Sequence, residues 1–354
     1  MTLIDAFGPA NPRASSADHS RVIRCGYAAE TTYSQWAHAA FDDWRWLSRE
    51  AGRNFLETSG ALFMGAAGNA HVDASHRTLS ALGIGSELLS PPEVTQRYPQ
   101  MTVDGLGPTL LEHAAGAIRA RAAVQALVKL LIDHSLSDYR LARVAPPDES
   151  AGVAAFALTT GEPLVADVYV CACGPWLPSM FPSAVGARIR STRQEILYFG
   201  TPPGDSRFAL AHLPVWIDFD AGLYGIPDFD GRGFKVGVDR HGPPIDADGA
   251  DRFVDATVVD TTRAWLARRF PALASAPLVD SHVCQYENTH NGDFIIDRHP
   301  AWQNVWIVGG GSGHGFKHGP SLGRHVAQLV EGEAKSDPRF ALASKLTSAA
   351  RTVF

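Results

Sequence analysis

Apolar residues recur along this chain with two periods, and the change from one to the other marks its elements. Over residues 33–50, Trp36, Ala40, Trp44 and Leu47 fall on one side of a helix while Asp42, Asp43, Arg45 and Arg49 fall on the other, which predicts a half-buried helix. Residues 118–134 carry Val124, Leu127, Val128 and Leu131 on one face and predict a second helix. Ser90-Pro91-Pro92-Glu93 predicts a short helix beginning there: Ser can accept from an early amide, Glu93 can reach back, and proline tolerates the first turn. Elsewhere the pattern is strand-like. Thr2-Leu3-Ile4 forms an apolar strand ending at Asp5, and residues 153–159 and 166–173 are short apolar runs around a Gly-Glu-Pro turn. Over 188–238, runs such as Ile196-Leu197-Tyr198-Phe199 and Phe234-Lys235-Val236-Gly237-Val238 alternate with Gly, Pro and Asp turns and predict an antiparallel sheet. Residues 304–308 form a last apolar strand that enters Gly309-Gly310-Gly311-Ser312-Gly313-His314-Gly315, and helical spacing resumes over 321–330.

Composition narrows the class. A length of 354 residues predicts about two domains, and 45% apolar with 19% charged residues is a globular balance. The net charge of −6 and pI near 6.1 give no basic field for a polyanion, which sets nucleic acid aside as a partner. Cys25, Cys171, Cys173 and Cys284 lack the spacing of zinc sites or disulfide frameworks, which points to a reducing compartment. No apolar stretch is long enough to span a bilayer and no signal segment opens the chain, so a cytoplasmic protein without membrane contact is expected.

Two features carry chemistry by themselves. The strand, glycine turn and helix near the C-terminus let backbone amides approach an electron-rich ligand, although the spacing is not G-x-G-x-x-G and the glycines are equally consistent with a tight turn alone. Asp5, at the end of a strand, either holds the ribose of a dinucleotide or caps its own loop. His314 and His318 stand four residues apart, but no third ligand accompanies them and no metal is expected.

Five segments in order carry a resemblance: Thr2-Leu3-Ile4-Asp5-Ala6-Phe7, His19-Ser20-Arg21-Val22-Ile23-Arg24, Ala172-Cys173-Gly174-Pro175-Trp176, Phe294-Ile295-Ile296-Asp297-Arg298-His299-Pro300 and Gly311-Ser312-Gly313-His314-Gly315-Phe316-Lys317. Together they resemble the monomeric sarcosine oxidase and N-methyltryptophan oxidase family, within the flavin oxidoreductases that include D-amino acid oxidase. The resemblance implies FAD as cofactor, with Asp5, Gly174, Trp176, Gly311, Ser312, Gly313, His314, Gly315, Phe316 and Lys317 around it and Cys284 as the covalent attachment point. It implies that Arg24 and Lys317 receive the substrate carboxylate, that Arg21 lies close to the flavin ring, that Tyr224 is an active-site tyrosine, and that Lys235 assists reaction with oxygen. A fixed positive charge would stabilise developing superoxide and peroxide. The residues keep plainer readings too: free cysteine is often a small buried hydrophobe, lysine and arginine are usually solvated, and tyrosine packs in cores. Two departures bear on the substrate. The family's active-site histidine is replaced by Asp239, a candidate acidic partner for the substrate amine, and a family glutamate is matched by Ala29, with Glu30 adjacent.

The resemblance also implies that a first strand and its glycine turn, about 30 residues of a dinucleotide-binding unit, are not in this sequence. A chain made strictly from Met1 is then expected to bind FAD poorly. The expected fold is mixed α/β: an incomplete Rossmann-like FAD-binding domain, formed by 1–30, 112–182 and 281–354, and a substrate domain with a mixed β-sheet, formed by 31–111 and 183–280. The expected function is oxidation of the C–N bond of a secondary or N-methyl amino acid by a monomer, with hydrolysis of the imine and reduction of O2 to hydrogen peroxide. The competing readings are a dehydrogenase using another acceptor and a truncated, non-catalytic remnant.

Overall fold

The alternating stretches assemble into sheets, and the helical stretches lie against them. The computed structural model describes residues 1–249 and 251–346. Its largest sheet has eight strands, in the order Leu278–Thr289, Ile189–Phe199, Phe234–Val238, Leu223–Ile226, Val215–Asp218, Ala61–Met64, Thr109–Glu112 and Ser86–Leu89. Val215–Asp218 and Ala61–Met64 run parallel and the other neighbours antiparallel, so the expected antiparallel sheet is present and grows at both edges. Residue 250 of the expected 183–280 segment and residues 347–354 of the 281–354 segment lie outside the described residues.

Strand alternation divides this sheet into two unlike faces. Phe199, Leu197, Phe234, Val236 and Trp216 point to one side and pack with Trp265, Leu266 and Phe270, the first two from the helix Ala256–Arg269. Trp216 stacks on Trp265 with ring centroids 4.7 Å apart. Each large apolar side chain fully buried there contributes roughly 1.5–3 kcal/mol, so this face anchors the sheet. The register sets Tyr198 opposite Lys235, Tyr224 opposite Gly237 and His282 opposite Ile196, with Cys284 two residues beyond His282. Residues directly opposite share a face. The other side of the sheet therefore collects the residues that carry chemistry.

The remaining strands include the parallel pairs of a Rossmann-like unit. Thr2–Asp5 pairs in parallel with Asp138–Leu141, and Tyr169–Cys171 with Val305–Gly309, which also pairs antiparallel with Ile295–Arg298. Val305–Gly309 leads through the glycine turn and a single 3-10 turn, Phe316–His318, into the helix Gly319–Glu331. The helix Thr31–Glu50 packs on that helix, burying Tyr33, Ala37, Ala40, Phe41, Trp44 and Leu47, and Trp44 Nε1 donates to the Lys317 carbonyl at 3.1 Å. Glu93 accepts from the Ser90 amide at 2.7 Å and opens the helix Pro91–Arg97 as expected.

Two elements differ from expectation. The helix Ala120–Asp133 forms, but Leu127 is 43% exposed and Val124 half-buried, because both line a cavity instead of a closed core. The Gly-Glu-Pro turn pairs Phe156–Ala157 with Pro163–Leu164, while Tyr169–Cys171 leaves the hairpin to join Val305–Gly309. Among the described residues, no helix is long and apolar enough to cross a membrane.

Candidate active site

A cavity of about 1380 Å³ is walled by the first parallel strand pair, the 171–176 segment, the glycine turn and the chemistry-bearing face of the large sheet. Asp5, Arg21, Arg24, Gly174, Trp176, Tyr224, Asp239, Cys284, Gly311, Gly313, His314, Gly315, Phe316 and Lys317 all reach it. Lys235 and Ser312 do not.

Arg24 and Lys317 bring two buried cations to this wall. The Arg24 guanidinium donates to the Gly26 carbonyl and lies over the rings of Tyr27 at 4.6 Å and Phe63 at 5.5 Å. Glu112, buried where its strand ends, accepts from the amides of Cys25 at 2.8 Å and Gly26 at 3.0 Å and so fixes the backbone just past Arg24. The Lys317 ammonium donates to the Tyr27 hydroxyl at 2.8 Å and the His314 carbonyl at 3.0 Å, and Tyr27 meets His318 Nε2 at 2.8 Å. Burial, reinforced by the neighbouring charge of Arg24, pushes the Lys317 pKa well down. A carboxylate entering here would relieve both.

Asp239 brings an acid to the same wall. Burial raises its pKa, against the hydrogen bond from Tyr286 and the charges of Arg24 and Lys317. Tyr224 borders it, with its ring laid over the strand Phe234–Val238. That approach needs Gly237, since a Cβ there would sit 2.3 Å from Tyr224 Cζ.

Cys284 is buried on the sheet face, and its sulfur accepts from Arg21 Nη2 at 3.6 Å. Arg21 also donates to the carbonyls of Ser15, at 3.0 Å, and Ala17, and pairs with Asp18 at 2.9 Å. Lys235, read from the resemblance as a fixed charge that assists reaction with oxygen, lies behind this wall. It is 1% exposed, and its ammonium is taken up by Asp18 and by the Ser20 carbonyl at 2.8 Å. The strand Phe234–Val238 forms as expected; a carboxylate from a distant loop closes the lysine off.

The glycine turn is shaped by contacts behind it. Gly313 has φ +80°, and a Cβ there would lie 2.6 Å from Tyr286 Cε2. Ser312, with φ +44°, points inward: its Oγ donates to the Gly310 carbonyl at 3.0 Å and accepts from the Thr289 amide at 3.2 Å, so it braces the turn. His314 Nε2 meets the Gly292 carbonyl at 3.1 Å, and Phe316 stacks on Trp44 at 5.5 Å. Trp176 donates to Asp248 at 3.0 Å and lies 5.3 Å from the ring of Phe7. Asp5 accepts from the amides of Phe7 at 2.8 Å and Gly8 at 3.0 Å, which is the loop-cap reading, while still bordering the cavity. Glu30 is not on the wall but pairs with Arg339 at 3.1 Å.

Sequence reasoning missed Asp18, Tyr27, Glu112, Tyr286 and Glu287, and weighed His318 only as a metal ligand. Tyr286 was within reach: two residues past Cys284 on a strand, it must share that residue's face. Glu287 approaches the Gly311 amide at 3.4 Å through Oε1, leaves Oε2 buried without a partner among the described residues, and has its pKa pushed up to about 7 by burial. A buried acid atom waiting at a glycine turn suits a polar ligand laid along that turn.

Comparison with known proteins agrees with this geometry. The family described as FAD dependent oxidoreductase matches residues 1–329, and the chain belongs to it. It is 27% identical over 335 residues to monomeric sarcosine oxidase of Bacillus sp. (strain NS-129), covering 93% of this chain and 86% of that protein. It is 22% identical over 336 residues to N-methyl-L-tryptophan oxidase of Yersinia pestis (strain Pestoides F), covering 94% and 88%. Its fold matches the modified fructosyl peptide oxidase from Aspergillus nidulans with a TM-score of 0.82 at 18% identity, over 96% of this chain and 86% of that one. FAD is thus the cofactor. The cavity's size, its glycine backbone, its cations and the waiting Glu287 oxygen fit a flavin nucleotide.

Proposed function

We propose that the protein, acting as a monomer, oxidises the C–N bond of a small secondary or N-methyl amino acid. The observation that carries this reading is the placement of two buried cations, Arg24 and Lys317, and a half-buried acid, Asp239, on one cavity wall. An amino acid presents the complementary pair of groups. Its carboxylate accepts charge-assisted bonds from the guanidinium and ammonium, and its amine faces Asp239, with Tyr224 closing the space beside it. Burial strengthens these contacts and orients the amine-bearing carbon.

The backbones of Gly311, Gly313 and Gly315, with Gly174, Trp176 and Asp5, are the groups that would hold FAD, and Cys284, beside the Arg21 guanidinium, is the sulfur for covalent attachment. When bound, FAD supplies the acceptor for the two electrons of the substrate, leaving an imine that water hydrolyses. In this reading 1–30, 112–182 and 281–354 form the cofactor domain, and 31–111 and 183–280 the substrate domain. Oxygen is the second substrate and hydrogen peroxide its product. Peroxide release with a panel of N-methyl amino acids, set against the same amines lacking the carboxylate, tests the reading. Equal turnover of both sets contradicts it.

The position of Lys235 off the cavity wall favours a second reading, a dehydrogenase passing electrons to another acceptor. Stopped-flow reoxidation by oxygen in the parent and Lys235→Met separates the two, because a dehydrogenase reacts slowly in both.

A further inference from the structure

Asp18 lies in the long connection 6–20, yet it is 3% exposed and has φ +110°, a region an L residue occupies only when its surroundings hold it there. What holds it is its carboxylate. Oδ2 takes the Lys235 ammonium and Arg21 Nη1 at 2.9 Å, while Oδ1 accepts from the Tyr198 hydroxyl at 2.7 Å and faces His282 Nε2 at 3.3 Å. The loop, the strand Arg21–Ile23 and three strands of the large sheet converge on this one group.

The charges are interdependent. Burial alone would raise the Asp18 pKa, but the charge of Lys235, the His282 hydrogen bond and the charge of Arg21 hold it well below the carboxylate range. Burial lowers the Lys235 pKa and Arg21 pushes the same way; Asp18 opposes both, with a smaller contribution from Cys284. Besides Asp18, Arg21 and Cys284, the rings of Tyr198 at 6.0 Å and Tyr224 at 5.8 Å face the ammonium. A buried ammonium that loses the carboxylate beside it holds its proton less tightly. Arg21 would lose, by the same change, its one charged anchor beside the Ser15 and Ala17 carbonyls that also set it against the Cys284 sulfur, among the described residues.

We propose that Asp18 is the positioning residue of the oxygen-reducing step, supplying the counter-charge that keeps Lys235 an ammonium and seating Arg21 beside Cys284. This rests on the role proposed for Lys235 above. Asp18 itself does not border the cavity and touches no reacting atom.

The full chain labelled with ε-13C lysine reports the Lys235 charge directly, its signal being the one absent from Lys235→Met. In the parent the signal stays that of an ammonium through neutral pH; in Asp18→Asn it titrates at a pH lower by more than about one unit, and Asp18→Glu restores it in part. Asn tolerates positive φ, and Asp18→Gly, which removes the strained side chain, carries the same comparison if the Asn variant does not fold. An unchanged Lys235 titration in both overturns the proposal. Reoxidation of the substrate-reduced holoenzyme by oxygen separates the two ideas: a rate that Lys235→Met leaves unchanged refutes the role of the lysine, whereas one that Lys235→Met slows tenfold and Asp18→Asn leaves unchanged refutes that of Asp18.

Discussion

The hydroxyl of Tyr286 donates to Oδ1 of Asp239 at 2.7 Å. Tyr286 follows Cys284 by two residues on one strand face, so the proposed flavin attachment and the proposed amine partner are tied together by a single side chain. Asp239→Asn removes the charge and keeps the shape. It is expected to weaken binding of N-methyl amino acids at least tenfold, on the order of the 1.5–3 kcal/mol of a hydrogen bond to a charged group. Binding of carboxylates lacking the amine should change little. Flavin spectral titration with both ligand sets measures the difference; equal losses refute the assignment.

Arg24 and Lys317 are both buried and share the aromatic surface of Tyr27. Removing either leaves a bound carboxylate short of one charge-assisted partner, at a cost of about 2–5 kcal/mol. Lys317→Met is accordingly expected to raise KM more than about thirtyfold, and the Arg24→Ala effect should not simply add to it, because the two share one ligand. Steady-state kinetics of the single and double variants check this.

Cys284 is the proposed site of covalent attachment. Acid precipitation of the parent should carry the yellow colour into the pellet, whereas Cys284→Ser should release free FAD to the supernatant. Arg21 stands at the sulfur and lends it positive charge, so Arg21→Met should slow attachment, read as the growth of the covalent fraction after FAD is added to the apoprotein.

Glu287 gives a pH prediction with a definite sign. Its folded pKa is raised from 4.5 to about 7 by burial, so the folded chain binds this proton more tightly than the unfolded one. The associated stability is full below the unfolded value and is lost as pH rises through about 7. Glu287→Gln should therefore melt at a higher temperature than the parent above pH 7 and similarly near pH 4.5. Thermal melts of the apoprotein across that window test it, and a parent that gains on the variant as pH rises contradicts it.

Much of this was legible in the residue pattern, for physical reasons that also explain what was not. The strand around Lys235 and the glycine turn follow from local alternation and turn residues, and both form as expected. The helix Ala120–Asp133 was equally legible in kind, but periodicity says only that Leu127 and Val124 share a face, not that the face borders a cavity. Asp18 was illegible. Its neighbours Ser15, Ser16 and Ser20 read as a solvated loop, and only the meeting of Lys235, Arg21, Tyr198 and His282 from distant segments makes the position a buried anion site. Ser312 shows the converse: it belongs to the motif, yet its hydroxyl serves the turn and not the cavity.

In the proposed reaction an amino acid gives up electrons to FAD while its carboxylate is held by Arg24 and Lys317. Anaerobic titration of the FAD-loaded protein with an N-methyl amino acid, following the flavin's visible absorbance, tests that most directly. Bleaching is expected to be complete at about one substrate per flavin, and far slower in Lys317→Met. An FAD-loaded protein whose absorbance no secondary or N-methyl amino acid diminishes would contradict it.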